Sequence, residues 1–401
     1  MIMANNNNKD KCNVPNLRFP EFSGEWEMSS IGEQFELYSG NTPSRMNKNQ
    51  FDGSINWITS GELKEHYISD TKEKISEEAA KNNSLKLLPV GTFVIAIYGL
   101  EANGVRGTCS ITTRESTISQ ACMAFTSKMD IQNEFLYSWY KKHGNIIGIK
   151  YAQGTKQQNL SYDIIERFNI SYPCMEEQKK LIRFISLIDQ RIATQNKIIE
   201  DLKKLKSAII EIEYSPKDSY HSHIGGAIVQ ISKRNKDNHL CNVLSVSNRQ
   251  GFIKQSEQFE DRNVASDDTS NYKIVEKNDF AYNPARINVG SIARLTKFET
   301  GIVSPMYICF RTKDCLLPEY LELFFESRNF FYHIQKRLEG SVRLCLSYEE
   351  LCNIPIVIPS IEKQKQVDLH LSKLAQKIDL EMKILQFVQQ QKTYLLHQMF
   401  I

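Results

Sequence analysis

Three stretches of the chain combine basic and amide side chains and contain no aspartate or glutamate. They are residues 39–50, 140–162 and 280–298. Lysine and arginine neutralise phosphates and release counterions, whereas arginine, asparagine and glutamine can each make two hydrogen bonds to a base edge. The whole chain is nearly neutral, with 50 basic and 47 acidic residues. The absence of acidic residues from these three stretches therefore predicts surfaces that contact a polyanion.

The residue types within these stretches suggest different roles. We expect Arg45 and Arg286 to read bases, because a planar guanidinium matches two acceptors at once. We expect the lysines to contact phosphates, because a flexible ammonium neutralises charge without a fixed fork. The predicted DNA-binding set is Asn41, Thr42, Ser44, Arg45, Lys141, Lys142, Lys156, Gln157, Gln158, Asn159, Asn283, Arg286, Asn288, Arg294, Lys297 and Arg343.

Motifs for catalysis and for cofactor binding are missing from the sequence. There is no GxxxxGK[ST] phosphate loop and no GxGxxG after a strand. The tetrapeptide NPAR at 283–286 lacks the second proline and the aromatic residue with which adenine methyltransferases hold a flipped base, so we interpret it as a turn. His221 and His223 have no accompanying cluster of metal ligands and are interpreted as an exposed linker. The sequence therefore predicts neither a catalytic centre nor a metal site.

Cysteine usage and hydropathy narrow the class of protein. Nine cysteines without a C-x-x-C pair predict reduced, mostly buried thiols in a cytoplasmic protein. The longest apolar runs, such as residues 93–97 and 354–358, fall far short of the ~20 residues of a membrane span. Residues 1–16 are rich in asparagine and lack the apolar core of a secretory signal, so they are predicted to be a disordered tail.

An internal repeat organises the rest of the chain. A constant shift superposes residues 154–198 on residues 340–384 without a gap. It places residues 160–162 (LSY) on 346–348, Pro173 on Pro359, Glu176 on Glu362, Gln178 on Gln364 and Gln190 on Gln376. Such self-similarity predicts two tandem halves, each a variable globular part of mixed strands and helices followed by a similar C-terminal segment.

That C-terminal segment is predicted to be a long helix in both halves. Apolar residues alternate at spacings of four and three, which is the seam of a coiled coil. The seam residues are Leu181, Ile185, Ile188, Ile192, Ile199 and Leu202 in the first half and Val367, Leu371, Leu374, Ile378, Leu385 and Val388 in the second. Gln195 and Glu381 occupy matching polar positions within the two seams. The matched seams favour pairing of the two helices with each other over packing on separate domains.

Several motifs together resemble those of the specificity subunits of type I restriction–modification systems. The opening LRFPEFSGEW at 17–26 is similar to the start of such subunits. The YSGNTPSR at 38–45 and WITSGEL at 57–63 resemble one class of target recognition domain. Each half then closes with the Pro-x-x-Glu-x-Gln signature of this family, at 173–178 and 359–364.

The resemblance implies an α+β fold with pseudo-two-fold symmetry. Two tandem mixed α/β target recognition domains would be separated by two long helices that form an antiparallel coiled coil. The expected boundaries are a tail at 1–16, recognition domain 1 at 17–173, spacer helix 1 at 174–214, recognition domain 2 at 215–359 and spacer helix 2 at 360–401.

It also implies a function without catalysis. Each recognition domain would read one half of a bipartite, asymmetric sequence in double-stranded DNA, and the helices would fix the gap between the half-sites. Two methyltransferase subunits using S-adenosylmethionine and two translocase–restriction subunits using ATP and Mg would bind as partners, and no cofactor would bind to this chain.

Two other classes of function compete with this interpretation. An enzyme with fused recognition domains would need a much longer chain carrying the missing motifs. A coiled-coil interaction protein without specific DNA recognition would leave the acid-free stretches unexplained, and its binding would lack a steep dependence on salt.

Overall fold

The computed structural model describes residues 2–3, 13–99, 107–128, 130–152, 158–215, 222–248, 250–258, 268–340 and 344–401. The chain divides into two units. Unit 1 contains residues 1–195 together with 384–401, and unit 2 contains residues 196–383. Lys156, Gln157, His221 and Arg343, named above, lie outside the described residues.

Unit 1 builds its sheets from short strands. Its elements before the long helices are β1 (Ile2–Met3), β2 (Leu17–Arg18), β3 (Glu27–Ser30), α1 (Ile31–Gln34), β4 (Phe35–Ser39), the 3-10 helix η1 (Lys48–Phe51), β5 (Ile55–Ile58), η2 (Ser60–Glu62), β6 (Tyr67–Ile68), β7 (Lys74–Ile75), α2 (Glu77–Asn82), β8 (Phe93–Ala96), β9 (Tyr98–Gly99), β10 (Cys109–Thr112), β11 (Ser116–Ile118), β12 (Cys122–Ser127), α3 (Asn133–Tyr151), β13 (Gln158–Asn159), α4 (Tyr162–Glu166) and β14 (Asn169–Tyr172). The largest sheet has the strand order β4-β12-β8-β10-β6, and β11-β5-β7 form a second one.

Strand β8 is buried on both faces, which explains why its sequence is a continuous apolar run. Side chains alternate along a strand, so neighbouring residues join different cores. Phe93 and Ile95 lie in the core beneath helix α3, whereas Val94 and Ala96 lie in a second core with Ile58. This strand therefore joins the two hydrophobic layers of unit 1.

Unit 2 contains two four-stranded sheets. Its elements are α6 (Ile224–Ala227), β15 (Ile228–Ile231), β16 (Val243–Ser247), β17 (Gly251–Lys254), α7 (Gln255–Gln258), β18 (Lys273–Glu276), β19 (Phe280–Tyr282), η3 (Ile287–Val289), β20 (Ile292–Arg294), β21 (Thr300–Val303), β22 (Ile308–Thr312), α8 (Pro318–Phe324), α9 (Arg328–Arg337) and α10 (Tyr348–Cys352). The sheets have the orders β15-β22-β19-β20 and β17-β16-β21-β18.

Residues 318–337 form two helices separated by a short break. Helix α8 ends at Phe324, and α9 begins after Ser327, whose hydroxyl accepts a hydrogen bond from the backbone N–H of Phe330 at 3.2 Å. A serine N-cap satisfies one of the unpaired N–H groups of a helix start. The break lets Phe324 and Phe330 turn into the same core.

Two 39-residue helices begin within the repeated segments, α5 (Met175–Glu213) and α11 (Ile361–Met399). In unit 1, Asp189 of α5 accepts a hydrogen bond from Lys392 of α11 at 2.5 Å, and Leu181 shares a core with Leu396. This order runs in opposite directions along the two helices, so the pair is antiparallel in unit 1.

The same orientation is found in unit 2. Lys363, near the start of α11, lies 3.4 Å from Glu213 at the end of α5, and Ile210 shares a core with Val367 and Leu371. All twelve predicted seam residues are buried or half-buried, and Gln195 and Glu381 are 8% and 7% exposed.

Two expectations about the chain need correction. Within the tail expected to be disordered, Ile2–Met3 forms strand β1 and pairs with Leu17–Arg18. The cysteines are not mostly buried: of the eight in the described residues, Cys109, Cys122 and Cys309 are buried and the others are half-buried or exposed. Within the described residues, no helix combines the length and apolar content needed to cross a bilayer.

Candidate nucleic-acid interface

Arg45 lies on an aromatic platform in unit 1. Its guanidinium carbon is 4.8 Å from the centroid of the Phe51 ring and 5.5 Å from that of Trp57. Both terminal nitrogens donate to Glu73, and the Arg45 side chain is still 60% exposed. Stacking and the bidentate ion pair hold the planar group in one orientation at the surface.

The segment that carries Arg45 is anchored to its neighbours through the backbone. Asn41 accepts a hydrogen bond at its carbonyl from the Trp57 indole N–H at 3.2 Å, and its side-chain oxygen accepts from the N–H of Thr42 at 2.8 Å. Ser44 is exposed and accepts at its carbonyl from Asn47 N–H. These bonds fix the loop between β4 and η1 and leave the side chains of Ser44 and Arg45 exposed.

The WITSGEL motif contributes support for this region rather than exposed donors. The Glu62 carboxylate accepts hydrogen bonds from the N–H of Thr59 at 2.9 Å and from the N–H of Lys72 at 2.7 Å. Trp57 is 1% exposed. The motif therefore shapes the loops around Arg45 from beneath.

The lysines of helix α3 contact the protein itself. Lys141 donates to the Gly107 carbonyl at 3.2 Å and lies over the Tyr137 ring. Lys142 donates to the carbonyls of His397 and Phe400 at the end of α11. Burial lowers the pKa of Lys142. A cation that caps the end of a helix stabilises it, so Lys142 has a structural role.

In unit 2, residues 283–290 form a tightly bonded turn with an exposed tip. The Asn283 side chain is buried and accepts from the N–H of Ala285 at 3.1 Å. Gly290 adopts φ 88°, a left-handed conformation that favours glycine. The side chains of Arg286 and Asn288 are exposed, and among the described residues no group is paired with the Arg286 guanidinium.

Arg294 is occupied by intramolecular ion pairs. Its side chain is 12% exposed and donates to Glu319 and to Glu322, the latter at 2.9 Å. Burial raises the pKa of Glu322 even though Arg294 lies beside it. We therefore leave Arg294 out of the proposed DNA surface. Lys297 is exposed and donates to the Gln250 carbonyl at 3.2 Å.

An open cleft of about 450 Å³ lies beside this turn. Asn248, Gly290, Arg294, Glu322 and Phe331 are among its lining residues. Since its floor carries paired carboxylates and aromatic rings, the cleft itself is unsuited to a phosphate backbone. The exposed tip beside it presents the basic group of Arg286 and the amide of Asn288 to solvent.

The structure thus separates the predicted residues into different environments. Arg45 and Lys141 contact different groups of the protein. Lys142 and Arg294 are bonded to other groups of the protein and are largely buried. Gln158 and Asn159 form strand β13, which pairs with β9, and Asn159 is exposed. Sequence reasoning missed Glu73, the partner of Arg45, because it lies well outside the acid-free stretch and beyond strands β5 and β6.

Comparison with known proteins shows similarities in the first half of the chain. The family described as "Type I restriction modification DNA specificity domain" matches residues 23–204. The specificity subunit of the type I restriction enzyme MjaIX from Methanocaldococcus jannaschii is 28% identical over 199 residues, which are 48% of this chain and 45% of that protein. The EcoR124I/EcoR124II specificity subunit from Escherichia coli is 28% identical over 192 residues, 47% of this chain and 46% of that one. The chain matches less than half of the length of each relative.

Solved structures extend the fold similarity to nearly the whole chain. The S subunit of a type I restriction–modification system from M. genitalium superposes with a TM-score of 0.56 at 15% identity and covers 97% of this chain and 99% of that one. A chain from a study of complex assembly and conformational transition of the type I R-M system gives a TM-score of 0.58 at 13% identity, covering 92% and 96%. The predicted fold class, mixed α/β domains with long helices, is confirmed. Residues 23–204 thus match the type I specificity-domain family, and the chain is similar to specificity subunits of type I restriction–modification systems.

Proposed function

We propose that this chain is the non-catalytic DNA-recognition subunit of a type I restriction–modification complex. The observation that carries the proposal is the match of residues 23–204 to the specificity domain. In this role the chain reads a bipartite sequence in double-stranded DNA, with one half-site for each unit. The target recognition domains correspond to residues 17–173 and 215–359, and the long helices separate them.

Differences between the two exposed surfaces support an asymmetric target. In unit 1 the surface consists of Arg45 on its aromatic platform with the neighbouring polar loop. In unit 2 it consists of Arg286 and Asn288 at the tip of a turn. Both surfaces offer arginine and asparagine, which favour guanine and adenine edges respectively, but the two surfaces hold these donors in different arrangements. Two different donor arrangements read two different half-sites.

The partners follow from the same role. Two methyltransferase subunits, which use S-adenosylmethionine, bind this chain and modify adenine, and two restriction subunits use ATP and Mg to translocate and cleave. This chain itself needs no cofactor. Within the described residues, no group of three or more metal-ligating side chains occurs.

Methylation mapping tests the proposal directly. A host that expresses this chain with its neighbouring methyltransferase gene is sequenced by a single-molecule method that detects methyladenine, with and without this chain. We expect one bipartite, asymmetric motif that disappears when the chain is deleted, and the motif gives both half-sites and the gap.

Two other results have defined meanings. A motif that persists without this chain contradicts the specificity role. If no methylation is found, the purified chain with its partner is assayed for salt-dependent binding to random duplex, and a flat salt response favours a coiled-coil interaction protein over DNA recognition.

A further inference from the structure

Gln178 and Gln364 are repeat-equivalent residues near the starts of the two long helices. Both side chains are fully buried, at 0% exposure. They differ from Gln190 and its repeat equivalent Gln376 on the same helices, which are exposed. A buried amide with no catalytic neighbour requires a structural explanation.

Each buried amide makes three hydrogen bonds to the backbone. In unit 1, Gln178 accepts from the N–H of Gln132 at 3.0 Å and donates to the carbonyls of Asp130 at 2.6 Å and Pro173 at 3.0 Å. In unit 2, Gln364 accepts from the N–H of Leu317 at 2.8 Å. It donates to the carbonyls of Cys315 at 3.0 Å and Pro359 at 2.9 Å.

The partners are equivalent in detail. Gln132 and Leu317 are the N-cap residues of α3 and α8, and neither residue caps its helix with its own side chain. The accepting carbonyls lie two residues before each N-cap. Two of the three bonds therefore leave the long helix and end in the recognition domain, so each glutamine is a tether between the two elements rather than a cap of its own helix.

The tether also lies on the seam face of the helix. Leu181 follows Gln178 by three residues, and Val367 follows Gln364 by three, a spacing that places both side chains on one helix face. Leu181 and Val367 are buried seam residues. Apolar packing is non-directional, whereas a planar amide with three partners fixes rotation about the helix axis.

We propose that Gln178 and Gln364 are positioning residues that set the orientation of each recognition domain on its long helix and thereby fix the gap length that the protein accepts. This inference rests on the proposed function. One additional base pair moves a half-site by about 3.4 Å and rotates it by about 34° around the duplex. We call each buried glutamine with its three backbone partners a joint. A protein with rigid joints binds poorly to DNA whose half-sites are displaced in this way, whereas one with loosened joints still binds it.

The test measures gap selectivity in the complex with the methyltransferase. Gln178→Met and Gln364→Met keep side-chain length and remove all three bonds, and Gln190→Met and Gln376→Met are matched controls on the same helices. Dissociation constants are measured on duplexes that hold both half-sites with the cognate gap, one base pair fewer and one base pair more. We expect the preference for the cognate gap to fall about tenfold in each buried variant and to stay unchanged in the controls.

Base substitutions within each half-site separate positioning from recognition. The base preferences should be the same in all five proteins, because both glutamines are buried within the protein and the control side chains lie on the long helices. Unchanged gap preference in both buried variants, with lowered thermal stability alone, overturns the proposal. Absence of sequence-specific binding by the unmodified complex is a failure of the proposed function instead.

Further measurements apply if the methionine variants do not fold. Gln178→Glu and Gln364→Glu keep the oxygen that accepts from Gln132 or Leu317, and the ionised carboxylate makes neither donation, so the same loss of gap preference is expected at a pH at which it is charged. In the unmodified protein, hydrogen exchange at the N–H groups of Gln132 and Leu317 should be slow. Fast exchange at both would show that the joints are open and would overturn the inference.

Discussion

The carboxylate of Glu73 accepts hydrogen bonds from both terminal nitrogens of Arg45 while the same guanidinium lies over Phe51 and Trp57. Glu73 is 39% exposed and Arg45 60% exposed, so the pair is open to solvent. A phosphate or a base that binds Arg45 must therefore compete with an internal anion. This competition disfavours weak, sequence-independent contacts at Arg45.

Replacing Glu73 should make binding less selective. In Glu73→Gln the charge that competes with phosphate is removed, so we expect tighter binding to random duplex and a salt dependence steeper by about one phosphate contact. Glu36→Gln is the matched control, because Glu36 forms an exposed ion pair with Lys86 in the same unit. Fluorescence anisotropy over a salt series measures both. Equal behaviour of the two variants would contradict the role of Glu73.

Arg286 should contribute to one half-site only. Arg286→Ala is expected to weaken sequence-specific binding by about 1–3 kcal/mol and to relax base preference in that half-site, since a bidentate arginine–base contact is lost. Arg45→Ala serves as the comparison and should affect the other half-site. Binding to a library of duplexes with single substitutions gives both profiles. An equal loss on specific and random DNA would instead identify Arg286 as a phosphate contact.

The ion pair between Asp189 and Lys392 should couple the two long helices in unit 1. The side chains are 28% and 21% exposed, and His66 lies 3.9 Å from Asp189. A double-mutant cycle with Asp189→Asn and Lys392→Met is expected to give a coupling of about 1 kcal/mol, near the upper end for partly exposed pairs. Thermal unfolding of the four proteins measures it. A coupling indistinguishable from zero would mean that apolar packing alone holds the helices together here.

His143 should make stability depend on pH. Burial lowers its pKa to about 4 from an ordinary value of 6.5, with Lys142 and His397 nearby adding positive charge. As pH falls below 6.5, His143 becomes protonated in the unfolded chain but stays neutral in the folded protein. The free energy of unfolding therefore declines until about pH 4, where folded His143 is protonated too. At about 1.4 kcal/mol per pKa unit the loss approaches about 3 kcal/mol.

Comparison of variants isolates this contribution from that of the carboxylates. His143→Gln should flatten the decline in unfolding temperature between pH 6.5 and 4, whereas replacement of the exposed His223 by glutamine should leave it unchanged. Parallel curves for the unmodified protein and His143→Gln would show that this imidazole titrates normally.

Periodicity was the strongest predictor of the fold. The seams that include Leu181 and Val367 predicted long paired helices. An apolar helix face recurs every three or four residues, so neighbouring positions in the sequence are enough to detect it. The acid-free stretches were a weaker guide to the site. Glu73 and Glu319 both lie outside these stretches, yet each pairs with an arginine inside one. A stretch without acidic residues in the sequence can therefore lie next to acidic residues from a distant segment in the folded protein.

The roles of Gln178 and Gln364 could not be predicted from the sequence. The repeat marks both residues as equivalent, but their partners are backbone groups 46 and 47 residues away on the chain. Any residue other than proline carries a backbone N–H and a carbonyl, so such partners leave no compositional signal. Only the three-dimensional structure shows that the two glutamines bond to the N-cap residues of α3 and α8.

Residues 384–401 complete unit 1, and the Trp139 indole donates to the carbonyl of Ile401 at 3.1 Å. During translation, residues 1–195 therefore cannot complete their packing until residues 196–383 have been made. That synthesis takes about 10–40 s at ~5–20 residues per second. Throughout that interval the nascent chain exposes the apolar surface that Met399 and Phe400 later cover. A ribosome that stops early releases a product whose N-terminal portion is unfinished, so chaperones and proteases can recognise truncated copies from their first half.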